Sequence, residues 1–545
     1  MMSSFSDLES DSVPVSPDDS PLQVRVLHVE QANSVSSNSD GDLWPSAWAD
    51  DGALYSACGD GTGFARHGWS DIVMNRIDGS PETDLSGERL SDGEDIAPTW
   101  DSVSFNRKPT GMLAADGDGN GKDELYLAVQ DLRRPDVGNA FDEAPTATIV
   151  RSDDYGKTWS WAETPMFTDH RFTTIMFLDL GQSNRGNRWA YAYGLDGNWR
   201  TSHSRIQPDP TELFLAKVPI DSIQDRSKWQ FYAGDSGDQP IWSSSIEDKM
   251  PVLTDQTRMY PEPLGFGGRG DHTRVAQGGV VWNPGLQRYI YSSWSEFTHE
   301  FYEAPRPWGP WNHIGSIDYG HIPWQGPKSP IAKHGGYAPT IPSKFISDDG
   351  TVMWMQSNWF APASTRGGRA YSYGMRKVIL KQDLGNDVGP SSFVPRNVAL
   401  DADTYPLVAR VREGQTVVLN DGRRDIGEDS AYGPNNGSHY WGYQWPTPRC
   451  FDRIIYCPGP QDSQGGWFRT GPQVEIRTDG QWRTIDDVSV SPSYPNDYTA
   501  LEWDEYEFRF PRVCADAVRI IGEPGGDAQF TSVTELEVWL DHTGS

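Results

Sequence analysis

The chain has 545 residues and carries 77 Asp and Glu against 46 Lys and Arg, a formal charge of −31. That balance argues against DNA, RNA and anionic membranes as partners, and no stretch approaches the roughly 18 consecutive apolar residues of a membrane span. Aromatic residues at 12%, with 55 Gly and 40 Pro, predict an all-β protein rich in turns and long enough for several domains.

Residues 1–38 open with MMSSFSDLESDSVPVSPDDSP, which is polar and acidic and reads as a disordered tail. It has neither the basic nor the apolar region of a secretory signal. The expected location is extracellular or periplasmic if a signal has been removed, and cytoplasmic otherwise. Residues 39–382 read as short strands punctuated by Gly, Pro, Asn and Asp. They include ALYSACGD (Ala53–Asp60), ELYLAVQ (Glu124–Gln130), RWAYAYGL (Arg188–Leu195), ELFLAKV (Glu212–Val218), RYIYSSWSE (Arg288–Glu296) and RKVILKQ (Arg376–Gln382). Strand groups at these intervals predict a β-propeller, five blades by count, with six or seven left open. Only VPIDSIQDRSKW (Val218–Trp229) carries helix-like turns. Residues 383–398 read as a linker, and strand patterning resumes over 399–545. Cys58, Cys450, Cys457 and Cys514 are too sparse for a disulfide scaffold. Cys450 and Cys457 flank FDRIIY on opposite strand faces and are not expected to pair with each other.

Several stretches carry residues suited to chemistry. WADDGALYSACGDGTGF (Trp48–Phe64) puts Asp51 in a turn entering a strand and Asp60 at its exit. Each is a candidate catalytic carboxylate, and each is also an ordinary turn residue. Glycoside hydrolysis needs two carboxyl groups across the scissile bond, and the partner candidates are Glu262, Asp271, Glu296 and Glu303. In RGDHTR, His272 and Arg274 share a strand face. Arg274 could clamp a carboxylate or sugar hydroxyls, and His272 could tune an acid or meet a metal. Asp116, Asp118, Asn120 and Glu124, with Gly121 between them, match positions 1, 3, 5, 9 and 6 of a calcium loop, so calcium is the expected cofactor, in a structural role. RSDDYGKTWSW (Arg151–Trp161) fits a tight hairpin in which Asp154 accepts backbone N–H bonds and Gly156 takes φ > 0. PRPWGPW (Pro305–Trp311) holds Trp308 and Trp311 on a stiff platform suited to sugar stacking or to burial as a lock between blades.

Three resemblances follow from these residues. Ser152-x-Asp154-x-Gly156-x-Thr158-Trp159 resembles the Asp-box, a structural hairpin of sialidase-like propellers. LFLAKVPIDSIQDRSKWQFYAGD (Leu213–Asp235), VVWNPGLQRYIYSSWSE (Val280–Glu296), YEAPRPWGPWNHI (Tyr302–Ile314) and IPSKFISDDGTVMWMQSNW (Ile341–Trp359) look like one propeller family. That family was long catalogued as a domain of unknown function, and some of its members are grouped with endo-acting D-arabinan glycoside hydrolases. YEFRFP, AVRIIGEPGG and FTSVTELEVWL (Tyr506–Leu540) resemble a discoidin-like (factor 5/8 type C) β-sandwich jelly roll, often a carbohydrate-binding module. There Tyr432, His439, Trp441, Tyr443, Trp445 and Trp467 are candidates for sugar stacking. The resemblances imply a glycoside hydrolase acting on an arabinan-like furanoside or a uronate-containing polysaccharide. A polysaccharide lyase using His272, Arg274 and a metal, or a non-catalytic glycan-binding protein, are the alternatives.

Overall fold

The computed structural model describes residues 13–17, 24–29, 35–36, 39–101, 105–133, 143–197, 208–237, 239–259, 272–295, 298–318, 336–359, 371–382, 396–400, 404–408, 419–420, 427–430, 437–478, 480–498 and 505–540. It divides into two units, Met1–Met259 with Asp271–Leu384, and Tyr260–Gly270 with Gly385–Ser545. Regular structure among the described residues is strand, interrupted by short 3-10 turns, so the protein is all-β.

Among the described residues the first unit holds, besides the short pair Arg258–Met259 with His272–Thr273, five groups of antiparallel strands in chain order, the third and fourth joined into one sheet by the parallel pairing of Leu178 and Asp179 with Val280 and Val281. In the first, Asp40–Asp42 and Ser46–Trp48 both pair with Leu54–Gly63, followed by Ser70–Ser80 and Asp84–Asp92. The second comprises Phe105–Ala115, Glu124–Arg133 and Thr146–Ser152. The third runs from Thr174–Asp179 through Trp189–Leu195 and Glu212–Pro219 to Gln230–Ser236. The fourth comprises Gly279–Asn283, Arg288–Trp294, Thr298–Ala304 and Asn312–Asp318. The fifth comprises Val352–Trp359, Ser372–Gln382 and, from the chain's beginning, Val24–Val29.

The strands read as near-continuous apolar runs because both sheet faces are covered, and the two-residue period sends alternate side chains to different neighbours. On Leu54–Gly63, Tyr55 and Ala57 pack with second-sheet Met112, Leu125 and Leu127. Leu54 and Cys58 on the opposite face pack with fifth-sheet Trp354, Tyr373 and Met375. On Arg288–Trp294, Tyr289 and Tyr291 face the third sheet and Ile290 faces the fifth. A further cluster joins the second sheet to the third through Tyr126, Phe177 and Trp229. The apolar contacts therefore run from each sheet to the next and from the fifth back to the first.

Two expectations are corrected here. The segment read as a disordered tail contains Val24–Val29 and Val35–Ser36, both paired with Ser372–Gln382. VRVLHV alternates well enough to add a strand to an otherwise open edge. Farther back, Val13 is buried in the cluster between the third and fourth sheets, the Ser16 N–H donates to Pro305 O at 3.0 Å, and the Tyr289 hydroxyl donates to Pro14 O at 2.6 Å. The helix-like stretch is a strand end at Pro219 followed by 3-10 turns at Ile220–Ser222 and Arg226–Lys228.

In the second unit the long strands His439–Cys457 and Tyr506–Gly522 pair with each other over most of their length. Glu535–Leu540 and Gln473–Thr478 add to them, around a core that includes Phe451, Tyr456, Phe468, Phe508, Leu536 and Val538. Cys450 and Cys514, opposite each other on the two long strands, form a disulfide, and Cys58 and Cys457 are buried outside any disulfide. Trp441, Tyr443, Trp445 and His439 are buried, so they serve the core rather than sugar stacking. Trp467 is half-buried, and Tyr432 lies outside the described residues.

Candidate functional site

One end of Leu54–Gly63 brings two carboxylates together. Asp42 stands opposite Gly59, the neighbour of Asp60. The close approach depends on glycine. A Cβ at Gly59 would lie 2.4 Å from Asp42 Oδ1, and one at Gly61 would lie 2.2 Å from Asp40 O. The alternating glycines of CGDGTG thus let Asp40–Asp42 lie against Leu54–Gly63 with both carboxylates on one side. Asp42 is followed by Leu43 and Trp44, both left-handed (φ 74° and 61°), and Asp60 is left-handed as well (φ 42°). Such conformations cost of order 1–3 kcal/mol each and persist where packing fixes them. Here the fully buried Trp44 ring does so, lying 4.9 Å from Tyr373 with its Nε1–H on Gly41 O at 2.9 Å.

Lys108 enters from the second sheet, braced by its neighbour Arg107, whose N–H and Nε donate to Asp71 Oδ2 at 2.9 and 3.0 Å. The buried Lys108 ammonium lies 2.6 Å from Asp60 Oδ2 and 3.6 Å from Asp42 Oδ1. The Tyr337 hydroxyl, from the fifth sheet's side, donates to Asp42 Oδ2. Burial pushes the Asp42 carboxyl up, against the pull of Lys108. Burial pushes the Lys108 ammonium down, but Asp42 and Asp60 outweigh it and hold the amine protonated. Asp42 Oδ1 and Asp60 Oδ1 are buried and accept no hydrogen bond among the described residues. Two carboxylates on one lysine can divide acid and base work. Segments of all five strand groups, including Ser46, Thr110, Asp179, Gly278 and Thr340, line a cavity of about 20 Å³, room for roughly one water.

A second buried carboxylate, Glu300 on Thr298–Ala304, meets Arg274 at 3.6 Å and His313 at 2.8 Å, and accepts from Ser316. Burial pushes Glu300 up, but His313, Arg274 and Ser316 together outweigh it and hold it at about 2. Arg274 is therefore an anchored, buried cation.

The other predicted residues lie elsewhere. Asp51 is at the opposite end of Leu54–Gly63 from Asp60. It accepts the Ala53 N–H at 3.0 Å and the Tyr55 hydroxyl at 2.9 Å, and it pairs with Arg76. On that same end Asp154 takes the N–H groups of Lys157 and Thr158 at 3.1 and 2.9 Å, with Gly156 at φ 87°. Trp159 Nε1–H donates to Ser91 Oγ at 3.0 Å, tying the hairpin to the first sheet. Asp116, Asp118 and Glu124 bring ligand oxygens within 4.8 Å of one another. The buried Asp116 Oδ1 accepts no hydrogen bond among the described residues, which fits a cation, while Arg151 stands 3.5 Å from Asp118 and 3.4 Å from Glu124. Asn120 donates to Asp118 at 3.0 Å. Trp308 and Trp311 pack against the third–fourth sheet cluster, Trp311 edge-on to Tyr193 at 5.9 Å, and Glu303 pairs with Arg288 at 3.2 Å. The His272 backbone forms a two-residue strand with Met259, and its side chain lies outside the described residues, as do Glu262, Asp271 and Glu296.

Sequence reasoning missed Asp42, Lys108 and Tyr337. The signal was the glycine alternation after Cys58, which marks a backbone pressed against another strand and so points to what precedes that strand.

No protein-family model matches the chain, and no curated protein does. Among solved structures, the family 32 carbohydrate-binding module of Clostridium perfringens NanJ, in complex with galactose, is 14% identical over 27% of this chain and 99% of its own, with a TM-score of 0.21. The F5/8 type C domain of a Bacteroides fragilis protein is 14% identical over 28% of this chain and 100% of its own, TM-score 0.22. The Streptococcus pneumoniae β-galactosidase BgaA gives 13% over 29% and 98%, TM-score 0.22. Likenesses this slight bear on neither fold nor activity.

Proposed function

We propose that the protein is a glycoside hydrolase whose catalytic pair is Asp42 and Asp60. The observation that carries this reading is the Lys108 ammonium shared between two carboxylates, ion-paired with Asp42 Oδ1 at 3.6 Å and with Asp60 Oδ2 at 2.6 Å, while Asp60 Oδ1 is buried and accepts no hydrogen bond among the described residues. Asp42, raised by burial, is the proton donor. Asp60, in direct contact with Lys108, is the second carboxylate of the pair. Their nearest oxygens can be no farther apart than the two lysine contacts laid end to end, which falls short of the roughly 6.5 Å at which room for an attacking water begins and favours a retaining course.

The same reading takes the five sheets as blades of a five-bladed propeller. What supports it is the cyclic packing from each sheet to the next, the narrow cavity lined by all five and the N-terminal strand completing the last sheet. It takes the second unit as a discoidin-like, sugar-binding sandwich, supported by the sequence resemblance of residues 506–540. The substrate is a polysaccharide, with an arabinan-like furanoside favoured by the resemblance of the first unit. An extracellular or periplasmic location is supported by the Cys450–Cys514 disulfide. A structural calcium at Asp116, Asp118 and Glu124 is supported by the open Asp116 oxygen, with Arg151 as its competitor. A melting temperature unchanged between chelator and calcium would remove it. The lyase alternative is disfavoured by Arg274, whose charge Glu300 already neutralises.

The test is digestion of a polysaccharide panel that includes arabinogalactan and uronate-rich gums, with products weighed by mass spectrometry. One water added per cleavage, lost in Asp42→Asn and Asp60→Asn, is expected. Unsaturated fragments, or full activity in both variants, would overturn the reading.

A further inference from the structure

We infer that Tyr337 is a positioning residue for Asp42, fixing which carboxyl oxygen faces the reacting bond. This rests on the glycosidase reading above. Tyr337 donates to Oδ2, whereas Oδ1 accepts no hydrogen bond among the described residues and meets only the Lys108 ammonium, at 3.6 Å, so Oδ1 is the oxygen left to give the proton. The hydroxyl also shares a hydrogen bond with Tyr371, and packing fixes the rest of the residue. Its own N–H is held by Asn358 Oδ1 at 3.0 Å. Its ring lies 5.3 Å from Trp294 and edge-on to Tyr371 at 6.2 Å, and the residue is buried. A carboxyl with two equivalent oxygens would present its proton on either one. An anchored Oδ2 leaves a single geometry, which is worth rate when the leaving oxygen must meet the proton in line.

The hydrogen bond also sets when Asp42 ionises. The groups facing its carboxyl are Lys108 from the second sheet, Asp60 and Cys58 from Leu54–Gly63, and Tyr337 and Tyr371 from the fifth sheet's side, with Asp40 two residues away on its own strand. Among them Lys108 and Tyr337 favour the charged form, and Asp60 opposes it. A hydroxyl that donates to the carboxylate stabilises the charged form and lowers the pKa. Removing it must raise the pH at which Asp42 loses its proton.

The experiment uses the full chain and two changes of opposite sign. Tyr337→Phe keeps the ring and deletes the donor, and site-specific fluorotyrosine at 337 strengthens the donor while keeping the hydroxyl. Asp42 is followed by carbon NMR of labelled aspartate, and kcat/KM by its pH profile. The expected result is an upward shift of Asp42 ionisation and of the alkaline limb by about one to two pH units in Tyr337→Phe, from a hydrogen bond to a charged group. Fluorotyrosine moves both downward. A Tyr337 that merely braces the fold would slow both variants without opposite shifts, and that outcome overturns the proposal. An Asp42 signal unmoved in both also overturns it. The NMR arm needs no substrate, so absence of glycosidase activity would sink the parent reading while this contact is still tested.

Discussion

The two ends of the strand Leu54–Gly63 carry acidic residues of equal formal charge and opposite circumstances. At one end Asp51 is about a quarter exposed and fully engaged by Ala53, Tyr55 and Arg76; beside it Asp154 is bound by the N–H groups of its own turn. At the other end Asp42 and Asp60 share one buried lysine, and the Oδ1 of each accepts no hydrogen bond among the described residues. Carboxylates that hold turns together find backbone donors and stay near water. Buried carboxylates that are only partly satisfied by hydrogen bonds are candidates for chemistry. Partners, rather than the Asp-Gly sequence, separate the two kinds.

The comparison breaks most visibly in activity. Asp42→Asn and Asp60→Asn should each lower kcat/KM by about 10²–10⁴-fold, while Asp51→Asn leaves it within roughly a factor of two and costs about 1 kcal/mol or less of stability. Equal losses at both ends, measured by reducing-sugar release, would erase the distinction. Lys108→Met should cost about 3–5 kcal/mol in denaturant melts, because it strands a buried carboxylate pair. Glu300 sharpens the picture through pH. Its folded pKa of about 2 lies below its ordinary 4.5, so its contribution is present above pH 4.5 and is lost as pH falls toward 2. The stability gap between wild type and Glu300→Gln, about 3 kcal/mol at pH 7, should close in that window. The smallest effect is at the hairpin, where Asp154→Ala should cost about 1–2 kcal/mol and leave activity unchanged.

Much of the strand content was legible, because runs such as ELYLAV and RYIYSSW bury both faces and leave no ambiguity of period over so few residues. The hairpin geometry at Asp154 was legible too, since a turn is specified by its own residues. The N-terminal strand was not. VRVLHV is short and flanked by acidic polar sequence, and its reason to be a strand is the open edge of Ser372–Gln382, some 350 positions away. Asp42 was invisible for a similar reason. SDGDLW looks like one more acidic turn until Gly59 and Gly61 bring Asp60 beside it and Lys108 arrives from another sheet. Local chemistry reads from local sequence, but a site assembled by three sheets does not.

The most direct measurement is polysaccharide digestion in ¹⁸O-labelled water, comparing wild type with Asp42→Asn and Asp60→Asn. The account predicts one ¹⁸O incorporated at each new reducing end and near-complete loss of cleavage in both variants. Unlabelled, unsaturated ends, or labelled cleavage that survives in both variants, would contradict it.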